Sequence, residues 1–245
     1  MRYAILGDIH SNLEALNNVL LDIEEKKVDK IFSIGDIVGY GADPSDCIDI
    51  AKTKFDLTVL GNHDLALVGG LDLDFFSDMA KDAIIWSQGR VECDSINFLS
   101  ELPFIEEYGD TIFAHSSLYQ PEKFNYILSL EDIRKSLDIQ DDKRLSFIGH
   151  SHIPAIFMVD DISGEILEIR DEDVIVNKKK KRYLINTGSV GQPRDGDPRA
   201  SYIYYDDSKD KISVERVNYD LEKAASKIVA AGLPDKLADK LREGI

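Results

Sequence analysis

The sequence predicts an α/β fold whose strands are covered by helices, and two patterns support that class. Six short apolar segments each end in a small residue followed by a polar one that can bind metal, and helical patterns lie between several of them. Strands that are apolar on both faces are typical of sheets covered on both sides. Because open α/β folds place their sites beyond the carboxyl ends of such strands, we expect the polar residues to converge at one rim.

The predicted strands are rich in β-branched and aromatic residues, which favour extended backbone. With the residues that follow them, they read YAILGD (3–8), KIFSIGD (30–36), LTVLGN (57–62), TIFAH (111–115), RLSFIGH (144–150) and RYLINTG (182–188). After residue 155 the pattern changes to short strands joined by turns, such as AIFMVDD and ASYIYYDD. This change predicts a second, more antiparallel sheet.

Two amphipathic helices are predicted between the first three strands. Residues 12–25 repeat apolar residues along one helical face, and Ser11 or Asn12 can cap the start of this helix. Residues 43–54 form the second helix, in which Pro44 directly follows the first residue as a helix-start signal.

The later helices complete the domain. Residues 69–102 predict a third and a fourth helix, and because they follow a loop of candidate ligands they form a candidate helical cap over the site. The last 26 residues predict a helical segment broken between Gly232 and Pro234. The sequence contains no internal repeat or low-complexity linker, so residues 1–245 are predicted to form a single domain.

The composition restricts the classes of function. A formal net charge of −17 and a pI near 4.6 argue against a surface that follows a nucleic-acid backbone or an anionic membrane. A phosphate-bearing substrate therefore has to meet local positive charge from arginine or metal. Cys47 and Cys93 have neither a metal-binding nor a disulfide-framework spacing. Since no apolar run approaches the ~18 residues of a membrane span and no leader pattern is present, we predict a cytoplasmic location.

All five histidines follow predicted strands. His150 and His152 are two residues apart, so in extended backbone both imidazoles point to the same side, where they would repel each other if protonated. A bound metal is the commonest reason for holding such a pair neutral. A single histidine is more often structural, but the shared position of all five favours a metal site.

Other ligand types accompany the histidines. Asp8 and His10 are also two residues apart in extended chain, and Asp36 ends a neighbouring parallel strand with two oxygens to share between two ions. Asn62 adds an amide oxygen and His115 another imidazole. Such a mixed oxygen and nitrogen set suits manganese, iron, zinc or nickel better than magnesium or calcium. The glycines before several of these ligands let backbone and ligands approach the ions closely.

Five motifs in this order resemble those of the calcineurin-like metallophosphoesterase superfamily: GDIH, GDIVGYG, GNHD, FAHS and GHSH, between residues 7 and 152. The later NTGSVGQPRDGDPRASY (186–202) resembles its small prokaryotic and archaeal branch. The resemblance implies a four-layer α-β-β-α sandwich of two mixed sheets. It also implies two divalent transition-metal ions, manganese foremost, and hydrolysis of a phosphoester bond by a metal-bound hydroxide.

The resemblance also assigns the metal ligands residue by residue, with one carboxylate bridging the two ions. One ion would take Asp8, His10, Asp36 and His152, and the other Asp36, Asn62, His115 and His150.

The family carries a histidine–aspartate pair at the positions of His63 and Asp64. The resemblance gives His63 the role of general acid or phosphate donor, with Asp64 holding the imidazole and raising its pKa. In the alternative interpretation, His63 only hydrogen-bonds a loop.

Three further residues are candidates for substrate binding. Arg194 and Arg199, in GQPRDGDPR, can supply positive charge for a multiply charged substrate, and Asn12 is a candidate for a phosphate contact. Alternatively, the two arginines pair with Asp195 and Asp197 in a Gly/Pro-rich turn.

Departures from the family's pattern bear on the substrate. Serine/threonine phosphoprotein phosphatases of the superfamily usually read GDxxDRG and GNHE, whereas this chain has Gly39 and Tyr40 in place of the aspartate and arginine and reads GNHD. These differences favour a small-molecule phosphodiesterase, or a hydrolase of nucleotides such as dinucleoside polyphosphates. The alternatives are a phosphoprotein phosphatase, a non-catalytic protein-binding scaffold and a DNA nuclease. The complete ligand set argues against the scaffold, and the acidic charge argues against the nuclease.

Overall fold

Two mixed six-stranded sheets lie face to face in the computed structural model, which describes residues 1–245. The strands are β1 (Arg2–Leu6), β2 (Lys30–Ser33), β3 (Leu57–Thr58), β4 (Ile105–Tyr108), β5 (Thr111–Ala114), β6 (Leu145–Ile148), β7 (Ala155–Asp160), β8 (Ile166–Ile169), β9 (Asp173–Ile175), β10 (Lys181–Asn186), β11 (Ala200–Asp206) and β12 (Lys211–Val217). The first sheet has the order β3-β2-β1-β11-β12-β9, and the second has the order β4-β5-β6-β10-β7-β8.

Helices cover the outer faces of both sheets. They are α1 (Leu13–Glu25), α2 (Pro44–Lys54), α3 (Asn62–Leu67), α4 (Asp78–Gln88), α5 (Cys93–Ser100), α6 (Leu130–Ile139), α7 (Leu221–Ala230) and α8 (Asp235–Glu243). One apolar cluster joins the first sheet to α1 and α2, a second fills the space between the sheets, and a third joins the second sheet to α6. The predicted α-β-β-α sandwich of two mixed sheets is therefore confirmed.

The six strands predicted from the motifs form two parallel triplets, one along one side of the first sheet and one at the centre of the second. In the first sheet β1 pairs in parallel with β2, and β2 with β3. In the second sheet β6 pairs in parallel with both β5 and β10. Because parallel strands end at the same edge, the residues after each triplet meet at one rim of their sheet.

The expectation of a separate sheet after residue 155 is wrong. The late strands divide between the two sheets: β7, β8 and β10 extend the second, whereas β9, β11 and β12 extend the first. Strand β11 pairs antiparallel with β1 along its open edge, and β10 covers the open edge of β6. Both central strands thereby gain partners on each side, which their buried backbone groups require.

The helix boundaries follow from local signals. Helix α1 begins after Asn12, whose side chain accepts a hydrogen bond from the backbone of Ala15 at 3.1 Å. The break between α7 and α8 falls at Gly232, which has a φ of +73°. The sequence patterns missed α3, which starts inside the GNHD motif, and α6. No helix of this chain combines the length and apolarity needed to cross a membrane.

Candidate metal centre

Loops from both sheets bring the predicted metal ligands to one buried rim. Those of the first sheet follow β1, β2 and β3, and those of the second sheet follow β5 and β6. None of the seven residues is more than 8% exposed. They are Asp8, His10, Asp36, Asn62, His115, His150 and His152.

The ligand atoms form two groups. In the first, the Nε2 atoms of His10 and His152 are 3.1 Å apart, and Oδ1 of Asp8 lies 3.4 Å from Nε2 of His152. In the second, Nε2 of His115 lies 3.0 Å from Oδ1 of Asn62 and 3.2 Å from Nδ1 of His150. The two groups contain the residues that the family resemblance assigned to separate ions.

Asp36 lies between the two groups. Its Oδ2 is 3.6 Å from Nε2 of His10 and 3.4 Å from Nε2 of His115. Its Oδ1 accepts a hydrogen bond from the backbone N–H of His63 at 2.8 Å. Oδ2 of Asp36 therefore faces both groups, while Oδ1 is also anchored by the start of α3.

In the first group, two histidine nitrogen atoms face each other with no proton between them. The other ring nitrogen of three histidines faces a backbone carbonyl: His10 with Val38 at 2.9 Å, His152 with Gln192 at 2.6 Å and His115 with Ile34 at 2.8 Å. A carbonyl only accepts hydrogen bonds, so Nδ1 of each ring carries a proton. Burial holds the pKa of His10 and of His152 well below the usual value, so Nε2 of these two rings presents a lone pair. The lone pairs of His10 and His152 then oppose each other, and Oδ1 of Asp8 is buried without a partner. A cation in each group would satisfy these acceptors.

The spacing of these acceptors also fits divalent metal. Ligand atoms about 2.1 Å from one ion lie about 3.0 Å apart at a right angle and about 3.4 Å apart at a tetrahedral angle. The contacts given above lie between 3.0 and 3.6 Å. The donor set of imidazoles, carboxylates and one amide therefore fits transition-metal ions in both number and spacing.

Most of these ligands have left-handed backbone, not the extended backbone expected for Asp8 and His10 and for the two histidines of GHSH. The φ values are +53° for Asp8, +48° for His10, +52° for Asp36, +68° for His150 and +62° for His152. Strands β1 and β6 end before these residues, and the chain turns to aim each side chain inward. Each such residue costs of the order of 1 kcal/mol or more, a pattern typical of functional sites.

Glycines let the chain pass close to the ligands. A Cβ atom on Gly61 would lie 2.1 Å from Oδ1 of Asp36, and one on Gly149 would lie 2.5 Å from Oδ2 of Asp8. Neither position can accept a side chain unless the neighbouring carboxylate moves.

The buried charges shift one another's protonation. Burial raises the pKa of Asp8 to about 7. Burial opposes ionisation of Asp36 as well, but His115 and the other imidazoles hold the pKa of Asp36 well below its usual range. Burial lowers and Asp36 raises the pKa of His115, with a net rise to about 9. A metal that binds here must therefore displace protons.

Comparison with known proteins decides the family. A model of the calcineurin-like phosphoesterase superfamily domain matches residues 1–210. The chain belongs to this superfamily. An uncharacterized protein from Methanocaldococcus jannaschii is 41% identical over 244 residues, which are 97% of this chain and 96% of the relative.

Two solved structures agree with the assignment. The crystal structure of a metallophosphoesterase from Sphaerobacter thermophilus has a TM-score of 0.86 and 35% identity, covering 100% of this chain and 99% of that one. A hypothetical protein from Pyrococcus horikoshii OT3 shares the fold, with a TM-score of 0.79, 19% identity and coverage of 100% and 98%. The predicted family and enzyme class are confirmed: the protein is a calcineurin-like phosphoesterase.

In this calcineurin-like phosphoesterase, Asp64 does not hold His63. The Asp64 carboxylate accepts hydrogen bonds from the backbone N–H groups of Val38 at 3.1 Å and Gly61 at 3.2 Å, because it lies in the first turn of α3 and points back to the helix start. Burial lowers the pKa of His63 to about 4, and the charge of Arg194 acts in the same direction. The expected rise in this pKa was therefore wrong.

The His63 ring nevertheless lines the open side of the centre. It lies edge-on to the rings of Phe76 and His10, with centroid distances of 5.0 and 4.8 Å, and at a tilt of 54° to the ring of Tyr40, 4.7 Å away. Its Nδ1 is buried without a hydrogen-bond partner. Ligand-capable atoms of His63, His10 and Asp36 also lie within 4.8 Å of one another.

The two arginines have different surroundings. Arg194 lines the cavity at the centre, where its guanidinium donates to the hydroxyl of Tyr40 at 3.2 Å and to the side-chain oxygen of Gln192 at 3.3 Å. Arg199 is 45% exposed, does not line this cavity and is paired with Asp197 at 2.6 Å. Pairing with aspartate, the alternative interpretation, is therefore correct for Arg199 only.

Asn12 is used for the fold and does not face the cavity. Besides capping α1, its amide nitrogen donates to the carbonyl of Gly191 at 2.9 Å. Both ends of the side chain are thus engaged by the fold, and the residue does not line the cavity, so the structure offers no support for the predicted phosphate contact.

The cavity beside the centre has a volume of about 780 Å³ and is open to solvent. Residues 71–80 form part of its wall, whereas α5 packs against α2 and α3, so only the first part of the proposed cap region reaches the cavity. Sequence patterns missed several cavity residues because no motif marks them. They are Phe76, Lys123, Tyr126 and Lys240.

Proposed function

We propose that this calcineurin-like phosphoesterase hydrolyses phosphoester bonds of small phosphodiesters or nucleotides at two adjacent divalent metal ions. The observation that carries the proposal is the pair of opposed lone pairs at His10 and His152, 3.1 Å apart beside an unpartnered Asp8 oxygen. Buried acceptors without a donor are costly, and a bound cation removes that cost.

The ligand assignment follows the two groups. One ion is held by Asp8, His10, Asp36 and His152, and the other by Asp36, Asn62, His115 and His150. When bound, such ions supply a nucleophile from water at neutral pH and neutralise charge on the phosphoryl oxygens. Manganese is our first expectation for their identity.

The chain's own groups complete the site. Arg194 faces the cavity with guanidinium N–H groups that can donate to a phosphoryl oxygen, which gives an acidic protein its local positive charge. His63 is positioned to donate its ring N–H to the phosphoryl or the leaving oxygen. Asp64 acts only by fixing the start of α3, and so the position of His63.

The residues at positions 39 and 40 favour a small substrate over a phosphoprotein. Phosphoprotein phosphatases of the superfamily have aspartate and arginine where this chain has Gly39 and Tyr40. A Cβ atom on Gly39 would lie 2.4 Å from Nδ1 of His63, so an aspartate cannot occupy that position here. We further propose a single domain, a cytoplasmic location, and no membrane or nucleic-acid partner.

The test uses metal-stripped protein with and without added manganese. Its substrates are an aryl phosphate monoester, an aryl phosphodiester and diadenosine tetraphosphate. We expect metal-dependent turnover, and we expect His63→Ala to lower kcat by about 10²- to 10⁴-fold with two ions still bound. Metal analysis by mass spectrometry checks the loading. Two bound ions with no turnover of any substrate would contradict the enzymatic proposal and favour a scaffold.

A further inference from the structure

The cavity wall beyond the metal centre carries cations that have no carboxylate partner. Lysines elsewhere in this acidic protein are commonly paired, as Lys227 is with Glu14 at 2.8 Å. In the cavity, by contrast, Lys123 donates only to the side-chain oxygen of Gln120 at 3.1 Å. Lys240, on α8, is half-buried and has no side-chain acceptor. Unpaired cations at an open cavity are available to an anionic ligand.

Lys240 is the stronger of these two candidates. Glu122, next to Lys123, also lines the cavity and would oppose a nearby anion. On α8 the nearest acidic neighbour in sequence, Asp239, pairs with Arg242 at 3.4 Å. Positive charge at the α8 side of the cavity is therefore not cancelled locally.

Helix α8 is also firmly fixed. Leu237 and Leu241 are buried in the apolar cluster that α7 and α8 share, and Leu237 lines the cavity one turn before Lys240. Both helices lie beyond residue 210, where the match to the family model ends. Lys240 thus belongs to a part of the chain that the family model does not describe.

A second set of cavity residues offers aromatic faces. The ring of Tyr126 stacks on that of His150, with a centroid distance of 4.0 Å and an angle of 25°, and Tyr126 is 45% exposed. Phe75, from another segment of the wall, is 81% exposed. An aromatic residue held by one face, with the rest exposed at a cavity, is a platform on which a planar ring can stack.

We propose that the substrate is a nucleotide with more than one phosphate, whose base stacks on Tyr126 and whose second phosphate binds Lys240. The inference rests on the proposed function, because it assumes that the reacting phosphate lies at the metal centre. Arg194 then binds the reacting phosphate, and Lys240 binds the next phosphate. Tyr126 and Lys240 are specificity-determining residues, and neither takes part in the chemical step.

The test measures binding directly, by calorimetry on the manganese-loaded protein. The ligands are ribose 5-phosphate, AMP and α,β-methylene-ADP, which add first a base and then a second phosphate in a form that resists hydrolysis. In the wild type we expect each addition to tighten binding by about tenfold. Equal affinities for all three ligands would overturn the proposal.

Matched variants separate the two contacts. Lys240→Met should abolish the gain from the second phosphate and keep the gain from the base, whereas Lys236→Met, one turn earlier on α8 and outside the cavity, should keep both. Tyr126→Leu should abolish the gain from the base, and Tyr126→Phe should restore it. Equal effects of the two lysine variants, or no rescue by phenylalanine, would contradict the assigned contacts.

The outcomes also distinguish this inference from the proposed function. Turnover of an aryl phosphodiester with equal binding of all three ligands leaves the phosphoesterase intact and removes only the nucleotide assignment. Graded binding without turnover of any substrate keeps the nucleotide site and removes the enzymatic proposal.

Discussion

At one end of the sandwich, beyond the carboxyl ends of the parallel strands, buried lone pairs of His10 and His152 oppose each other on strained backbone. At the other end, Tyr3 stacks between Phe32 and Tyr205, with centroid distances of 5.5 and 5.8 Å. There the polar groups are satisfied as well, because Lys178 donates to the hydroxyl of Tyr205 at 3.0 Å. The hydroxyl of Tyr205 thus has a partner within the chain, whereas the acceptors at the metal end need cations as partners.

The difference separates stability from function. The aromatic end and the core between the sheets stabilise the fold, so the ligand loops can keep left-handed backbone that they would not adopt alone. We therefore expect substitutions at the aromatic end to change the free energy of unfolding, and substitutions at the metal end to change metal binding and catalysis.

The largest expected effect is at the metal end. Asp36→Asn keeps the acceptor for the His63 backbone but removes the charge between the two groups. We expect loss of one or both ions and a fall in kcat/KM of about 10³-fold or more. The circular dichroism spectrum should stay that of the wild type. Full activity with two bound ions would contradict the bridging role.

The reciprocal change is at the aromatic end. Phe32 is 2% exposed and lies 5.1 Å from the ring of Phe113. Phe32→Ala should lower the free energy of unfolding by about 3–5 kcal/mol, measured by urea denaturation, because it leaves a cavity. Activity per folded molecule should not change. Phe75→Ala is the matched control for stability alone, since an 81% exposed ring contributes little to stability, and it is not a control for activity because Phe75 lines the cavity.

These two ends differ in how far the sequence predicts them. Ligand chemistry is visible in residue type, so the motifs predicted every residue of the two metal groups and the buried strands that precede them. The route of the backbone was not predictable, because left-handed φ values at His150 and His152 depend on where β6 ends. The partner of Asp64 was also missed, since nothing in GNHD indicated that a helix starts there.

Contacts between residues far apart in the sequence were also not predictable. A strand pattern such as that of β11 indicates extended backbone but not the neighbour along its edge, so the late strands were assigned to one sheet and in fact divide between two. Tyr126 and Lys240 belong to a loop and a helix without motifs, and only the tertiary fold brings them to one cavity.

Added metal should stabilise the folded protein, by less for each site than the loss expected for Phe32→Ala. Manganese at about 100 times its dissociation constant should stabilise the wild type by about 2.7 kcal/mol for each site that only the folded state forms. Phe32→Ala should show the same gain on a lower baseline, and Asp36→Asn should show little or none. Thermal melts with and without metal measure it. An equal gain in Asp36→Asn would mean that the ions bind elsewhere.

The smallest effect belongs to neither end and comes from an ion-pair cluster that joins α1 to α7. Glu14, 6% exposed on α1, pairs with Lys227 at 2.8 Å and Lys223 at 3.1 Å on α7. Burial raises the pKa of Glu14, but the two lysines outweigh it and hold the pKa below its usual value.

Because the folded state lowers this pKa, the stabilisation is present above the unfolded value of about 4.3 and is lost as the pH falls through the folded value. Glu14→Gln should therefore cost about 1 kcal/mol at pH 7 and almost nothing near pH 3, whereas Glu25→Gln, exposed on the same helix, should cost little at either pH. A difference between Glu14→Gln and wild type that persisted at low pH would mean that Glu14 stabilises α7 by packing, and not by its charge.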